Sequence, residues 1–500
     1  MENLRGRLSS FELYSQGRLE ACLLQSAGAT ATPERILRVR ALIRKNDYVA
    51  ALDTLAGIEA AEAEEEALLL ALKSSCHSYR GELDLARAAL AAVGPWEYCL
   101  DVKFELAYAQ VLIAWTESDP DTMDRALHAI DVSAAPTLYG RWLYARSWLA
   151  SLRGDYPEQL RVLQCAAEHI SSVPEGHDLF LLAKTTRAMS HLVREIYAKE
   201  AFAFTVRMAE TLPWNEELEA ERFLTLRSLA WAFALRGMHE RALQYAYMAR
   251  DIAPSRMWIT SSYCDQAYLA RMARENQSSD ALLAHAVACA KETSWTSQGE
   301  ERVSLLDLAE VAADRDPAVA HEILAIYDSI SAPLAPKLAL AHDSRLAALE
   351  AYSRGVVLGC CGDRTGAVDQ LASAYATFCS VGYAWRAAAA ALRIHMITDE
   401  DAWLRYASEA VAEFTESSVA EQIRKRAAAA VVDPRVAALT RAQRRVFALM
   451  CEGLGDKEIA LRLGISRETV KNHAVRVRAA FGVRSRAALI ASTRDLVAAV

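Results

Sequence analysis

An all-α chain is what these 500 residues predict: a long solenoid of paired helices followed by a compact basic module of four short helices. Gly (20) and Pro (12) are sparse while Ala, Leu, Glu and Arg abound, a composition that favours helix interiors. A helix-turn-helix phrase recurs along most of the chain. Nothing alternates as strand and helix do in a parallel sheet.

The first element is a leading helix over residues 1–26, expected within a cap of residues 1–31 that covers the first repeat. Thr32 as N-cap and Pro33 at the first helical position then open the solenoid, drawn from 32 to 430. Its phrase is a helix ending at a short polar turn with Gly, Asn or Asp, then a helix starting with a small residue and an apolar one. Clear copies are RKNDYVAAL, YRGELDLARAAL, LRGDYPEQL, LRGMHERAL, ARENQSSDAL and CCGDRTGAV. Aligning the equivalent position, weaker copies included, picks out Ala51, Ala86, Ala126, Gln159, Ala203, Ala242, Ala281, Ala320 and Ala367. Pro95, Pro120, Pro136, Pro174, Pro213, Pro254, Pro317, Pro333 and Pro336 fall mostly between the pairs. The pattern resembles the tetratricopeptide repeat, at a longer and irregular spacing, which implies a right-handed superhelix that receives a partner or ligand.

The segment 424–439, with Asp433 and Pro434, reads as the joint to the last domain, residues 434–500. There thirteen Lys and Arg stand against five acidic residues, net +8, which leaves −16 for the rest of a chain of net −8. A basic module on an acidic body suits one nucleic-acid-binding unit. Thr440 and Gln443 form a capping box before an apolar stripe at Val446, Leu449 and Met450. Asp456 is expected to cap a second helix with Ile459, Ala460 and Leu463 inward, Gly464 turns the chain, and Ser466 caps a third. Val470, Ala474, Val477 and Phe481 share that helix's inner face. The opposite face offers Glu468, Lys471, Asn472 and Val475 to base edges, with Lys457, Arg467, Thr469, Arg476 and Arg478 placed for phosphates.

This segment closely resembles the LuxR-type (GerE-like) DNA-binding domain of bacterial transcription regulators. The resemblance rests on LT at 439–440, EG at 452–453, KEIA at 457–460, LGIS at 463–466, TVKNH at 469–473 and GVRSRAAL at 482–489. It implies that Lys471 and Asn472 meet DNA and that the helix from Ser485 dimerises. Gln443, Val475 and Ala480 depart from the family's usual Glu and two basic residues. The partners implied are double-stranded DNA, a second copy on DNA, RNA polymerase, and a small-molecule or protein signal.

Candidate chemistry is otherwise thin. No G-x-x-x-x-G-K-[ST], H-E-x-x-H or G-x-S-x-G occurs, and the Gly-rich stretch 355–366 lacks the Lys of a phosphate loop. Neither an enzyme nor a cofactor is expected. The ten Cys lack metal-ligand spacing and read as small buried hydrophobes of a reducing cytoplasm. With no long apolar run, a cytoplasmic chain without membrane contact is expected, joining the nucleoid when bound to DNA. On the concave side, Arg146, Arg187 and Arg227 among Trp142, Trp148 and Trp231 form a candidate groove for an anionic ligand or acidic peptide; the competing reading makes the Trp residues core and pairs the Arg residues with carboxylates. The alternative for the whole chain is a protein-binding scaffold whose helix-turn-helix does not bind DNA.

Overall fold

The computed structural model describes residues 8–133, 135–173, 178–273, 276–295, 303–331, 344–430, 434–451 and 453–492. Every regular element among them is helical. Two short helices, α1 (Ser10–Ser15) and α2 (Leu19–Gln25), lead into ten consecutive pairs. The first five are α3 (Thr32–Arg44) with α4 (Tyr48–Ala56), α5 (Ala63–Tyr79) with α6 (Leu83–Ala91), α7 (Leu100–Glu117) with α8 (Pro120–His128), α9 (Pro136–Leu152) with α10 (Tyr156–Ser172), and α11 (Leu179–Glu195) with α12 (Lys199–Thr211). The next five are α13 (Glu219–Leu235) with α14 (His239–Asp251), α15 (Arg256–Met272) with α16 (Asn276–Glu292), α17 (Val303–Ala313) with α18 (Pro317–Ser331), α19 (Ser344–Cys360) with α20 (Arg364–Ser380), and α21 (Ala384–Thr398) with α22 (Asp401–Ala410). After α23 (Ser418–Ala430) and a single turn, α24 (Pro434–Ala437), come α25 (Arg441–Cys451), α26 (Asp456–Leu463), α27 (Arg467–Ala480) and α28 (Arg486–Ser492). The array is a tetratricopeptide-like solenoid, each pair antiparallel and stacked on the next.

The turns explain why the chain folds back so regularly. Asn46, Gly81, Ser118, Gly154, Gly237 and Gly362 each adopt a left-handed conformation. The next residue's N–H then donates to a carbonyl five residues back, closing the first helix of the pair: Asp47 to Leu42, Asp119 to Ala114 and Asp155 to Ala150 among them. Where that residue is Asp, its carboxylate also opens the second helix. Asp47 accepts from the Ala50 N–H at 3.1 Å, Asp155 from Glu158 at 3.0 Å and Asp363 from Gly366 at 3.0 Å. One dipeptide thus stops one helix and starts the next.

Measured from these starts, the fourth residue of each second helix is the equivalent position: Ala51, Ala86, Met123, Gln159, Phe202, Ala242, Ser279, Ala320, Ala367 and Leu404. Three aligned residues are therefore out of register. Ala203 and Ala281 are exposed, while Phe202 and Ser279 face inward, and Met123 takes the place assigned to Ala126 although both are buried. The slips have local causes, since the α11–α12 turn, Ile196 to Ala198, has no Gly, Asn or Asp to anchor an alignment. The α21–α22 pair is additional. Pro120 and Pro317 lie within pairs, at the first position of a second helix, while Pro174, Pro333 and Pro336 fall outside the described residues. The Gly-rich stretch serves packing and turning: a Cβ at Gly355 would lie 2.7 Å from Leu371 Cγ, so Gly allows α19 and α20 to touch closely.

Other expectations are corrected. Helix α3 is capped by Ala31 with no side-chain hydrogen bond, and Thr32 is already helical. The leading segment is two helices, and it packs beyond the first pair. Asn215 Nδ2 donates to the Gln16 carbonyl at 3.0 Å, and the Glu20 N–H donates to Glu217 at 2.6 Å, so the superhelix returns to its own start. Only Cys22, Cys76 and Cys264 are buried, whereas Cys99, Cys360, Cys361 and Cys379 are exposed. One continuous core runs from Leu13 in α1 to Ile423 in α23, and α24–α28 have a core of their own. Residues 431–433, including Asp433 of the expected joint, lie outside the described residues.

Candidate nucleic-acid interface and inner cavity

The basic module is built around α27. Val470 and Val477 are fully buried, Ala474 and Phe481 nearly so, and they pack with Val446, Phe447, Leu449, Met450 and Ile459. Phe447 stacks on Phe481 with ring centroids 5.0 Å apart, and the Arg435 guanidinium lies 4.8 Å from the Phe481 ring. Neither contact was anticipated from the stripe. The capping box forms: the Thr440 N–H donates to Gln443 Oε1 at 2.8 Å, and the Gln443 N–H donates to Thr440 Oγ1 at 3.4 Å. Ser466 caps α27 by accepting from the Thr469 N–H at 3.0 Å. At α26 the cap is Gly455, whose N–H donates to Glu458 at 2.6 Å; Asp456 is the first helical residue and holds Arg486 of α28 at 2.7 Å.

With its inner face committed, α27 presents one outward stripe. Arg467, Glu468, Lys471, Asn472, Val475 and Arg476 are all exposed and recur at spacings of one, three, one, three and one, which keeps them on adjacent rows. Val475, 55% exposed, is an apolar point within that polar stripe. Lys471 Nζ rests 3.2 Å from the Glu468 carboxylate, an exposed pair that a nearby anion would compete for. Two of the expected phosphate contacts are otherwise engaged. The Thr469 hydroxyl shares a 2.8 Å hydrogen bond with Ser466, and Arg478, half-buried, donates through Nε to the Ala474 carbonyl at 3.3 Å. Lys457 is exposed at the start of α26, where Leu461 is 87% exposed.

The first helices of the pairs enclose a second candidate site, a cavity of 810 Å³. Tyr144, Ser147, Trp148 and Ser151 of α9 line it with Arg187, His191 and Arg194 of α11, Glu221 and Arg227 of α13, Trp115 of α7 and Trp258 of α15. Gln159 of α10 contributes, and Arg345 and Tyr383 reach it from the far end of the array. The groove expected from sequence is thus divided. Arg187, Arg227 and Trp148 line the cavity, whereas Arg146 and Trp142 stand one helical turn apart on the neighbouring face of α9. There the Arg146 guanidinium covers the Trp142 ring at 5.0 Å and Trp142 Nε1 donates to the Leu127 carbonyl at 3.0 Å. Trp231 is wholly buried, donating to Asp265 at 3.0 Å.

The arginines are held by carboxylates. Arg187 meets Glu221 at 3.1 Å, and buried Arg227 binds Asp265 through two nitrogens, Nη2 at 3.2 Å. Arg194 lies 3.2 Å from Glu195, 3.6 Å from Asp307 and 4.5 Å from the Trp231 ring. Burial pushes the Tyr144 hydroxyl pKa up, against the pull of Arg187, so it stays a neutral donor at physiological pH. Among the described residues no group of three or more His, Cys, Asp or Glu could hold a metal ion, and no helix is long and apolar enough to cross a membrane.

Residues 437–493 match the family model described as "GerE: Bacterial regulatory proteins, luxR family", and this segment is a domain of that family. It is about a ninth of the chain. No curated protein sequence matches. Among solved structures, the chain is similar to the apo form of RapI, with a TM-score of 0.46 and 12% identity over 73% of this chain and 99% of that one. Cut9–Hcn1, the APC/C hetero-tetramer, gives 0.31 and 12% over 96% and 95%, and the human IFIT1 dimer with PPP-AAAA gives 0.38 and 15% over 85% and 97%.

Proposed function

We propose that this protein is a transcription regulator that binds promoter DNA through residues 434–500 and is controlled by a signal received in the helical array of residues 32–430. The observation that carries the reading is the outward stripe of α27. Lys471, Asn472 and Val475 stand exposed on a helix whose other face is locked into a core, in a segment matching a family of bacterial regulators. A helix so held can enter a major groove, where Lys meets guanine acceptors, Asn pairs with adenine and an apolar tip touches a thymine methyl. Glu468 belongs to the same face as an acceptor for cytosine. Lys457, Arg467 and Arg476 contact phosphates and set the register. Two copies bind paired half-sites, meeting through α28, and the bound protein acts on RNA polymerase in the cytoplasm. The acidic body keeps the DNA on the module.

The test is binding of promoter fragments and random DNA by the full-length chain. Lys471→Ala and Asn472→Ala are expected each to lower specific affinity by about 1–3 kcal/mol, and Lys457→Ala to weaken all sequences alike. Equal losses on specific and random DNA for all three would remove α27 from the reading role.

A further inference from the structure

We propose that the 810 Å³ cavity binds a small organic anion that carries a planar ring and an N–H or O–H donor, a ligand that nothing in the helix-turn-helix module requires. The inference rests on the reading of the helical array as the receiving part. Three independent features of the lining specify the ligand.

Charge comes first. Four guanidinium groups, of Arg187, Arg194, Arg227 and Arg345, line the cavity with one carboxylate, Glu221. The carboxylates that hold Arg194 and Arg227, namely Glu195, Asp307 and Asp265, stand outside the lining. They fix those side chains in place while the wall itself remains cationic, an arrangement suited to a carboxylate, sulfonate or phosphate. This occurs inside a body of net −16, so the cavity is a local exception to the surrounding field.

The second feature is the aromatic wall. Trp148 packs between Trp115 and Tyr144, with ring centroids 5.7 and 5.5 Å away, and all three line the cavity. Trp258 and Tyr383 extend the wall. Such surfaces bury a flat ring at little entropic cost, because the wall side chains are already fixed by one another. Third, Gln159 Oε1 is buried without a hydrogen-bond partner. A buried acceptor of this kind is normally paired, and a donor on the ligand would pair it. The volume suits a small molecule, within the roughly 300–1,000 Å³ usual for such sites. Helices α7 to α15 wall it on one side, and Arg345 and Tyr383 on the other.

The probe is 1-anilinonaphthalene-8-sulfonate, a planar anion with an N–H donor, titrated by fluorescence against the full-length chain without DNA; its neutral counterpart is N-phenyl-1-naphthylamine. One saturable site per chain is expected, with the neutral amine at least ten-fold weaker. Arg187→Gln should lower sulfonate affinity ten-fold or more and leave the amine unchanged, Gln159→Leu should weaken both probes a few-fold, and Ala188→Trp, which fills the cavity, should abolish both. Thermal melting identifies any variant that fails to fold, and the sulfonate-to-amine ratio on the unaltered chain decides the charge claim without variants. Equal affinity for the two probes, or full binding to a folded Ala188→Trp chain, would overturn the proposal. Because binding is read without DNA, failure here leaves the promoter-binding reading standing, and failure of promoter binding leaves this result standing.

Discussion

Glu105 shows what a single residue does in this array. It is almost wholly buried between Arg40 at 2.8 Å and Arg141 at 2.9 Å, and so ties α3, α7 and α9 together. Burial alone would raise its pKa, but the two guanidinium groups outweigh that and hold it at about 2. A carboxylate depressed in the folded state contributes stability that is complete above its usual 4.5 and disappears as pH falls through about 2. The contribution at neutral pH is on the order of 3 kcal/mol. Glu105→Gln is expected to cost about 3–5 kcal/mol at pH 7, since two buried guanidinium groups lose their counter-charge. The same substitution should flatten the dependence of stability on pH between 4.5 and 2, measured by denaturant unfolding. An unchanged acid limb would show that the pair is not formed in solution. Nothing in the sequence marks Glu105, because its partners lie 65 and 36 residues away.

The turns are the scale at which the fold was most legible. Asn46-Asp47, Gly154-Asp155 and Gly362-Asp363 announce themselves because a left-handed residue followed by a capping carboxylate has few other uses. Ser118-Asp119 does the same work with a residue that seldom adopts that conformation, and its repeat was set three residues out of register. Within the basic module, caps and stripe together placed α25–α28, because local hydrogen bonds and a short-range core determine them. Two glycines separate conformational from steric constraint. Gly154→Ala should cost only the left-handed strain, about 1–2 kcal/mol, because its surroundings are open. Gly237→Ala should cost distinctly more, since its Cβ would sit 2.7 Å from the Glu416 carbonyl oxygen, which belongs to backbone. Equal losses of thermal stability in the two variants would refute the close approach.

At the scale of the whole molecule, the array closes on itself through contacts that no local pattern announces. Trp385 Nε1 donates to Glu195 at 3.0 Å across 190 residues, and Arg386 reaches Asp307 at 3.3 Å, so α11, α17 and α21 meet in one buried cluster of charges and indoles. Burial pushes the Arg386 pKa down, but Asp307 and Glu195 outweigh it and keep the guanidinium charged. That closure is why the expected groove became partly core, at Arg227 and Trp231, and partly an enclosed cavity, at Arg187 and Trp148. Signal reception is thereby assigned to the inside of the array and DNA to an outward helix with a separate core. The central claim, that α27 selects promoter DNA, is tested most directly by sequencing the DNA recovered with the full-length protein from cells, beside the Lys471→Ala, Asn472→Ala double variant. The account predicts a recurring motif of two half-sites centred about 10 base pairs or a multiple apart, lost in the double variant while the protein stays folded. Recovery of the same motif with the double variant, or of no motif with the unaltered chain, would contradict it.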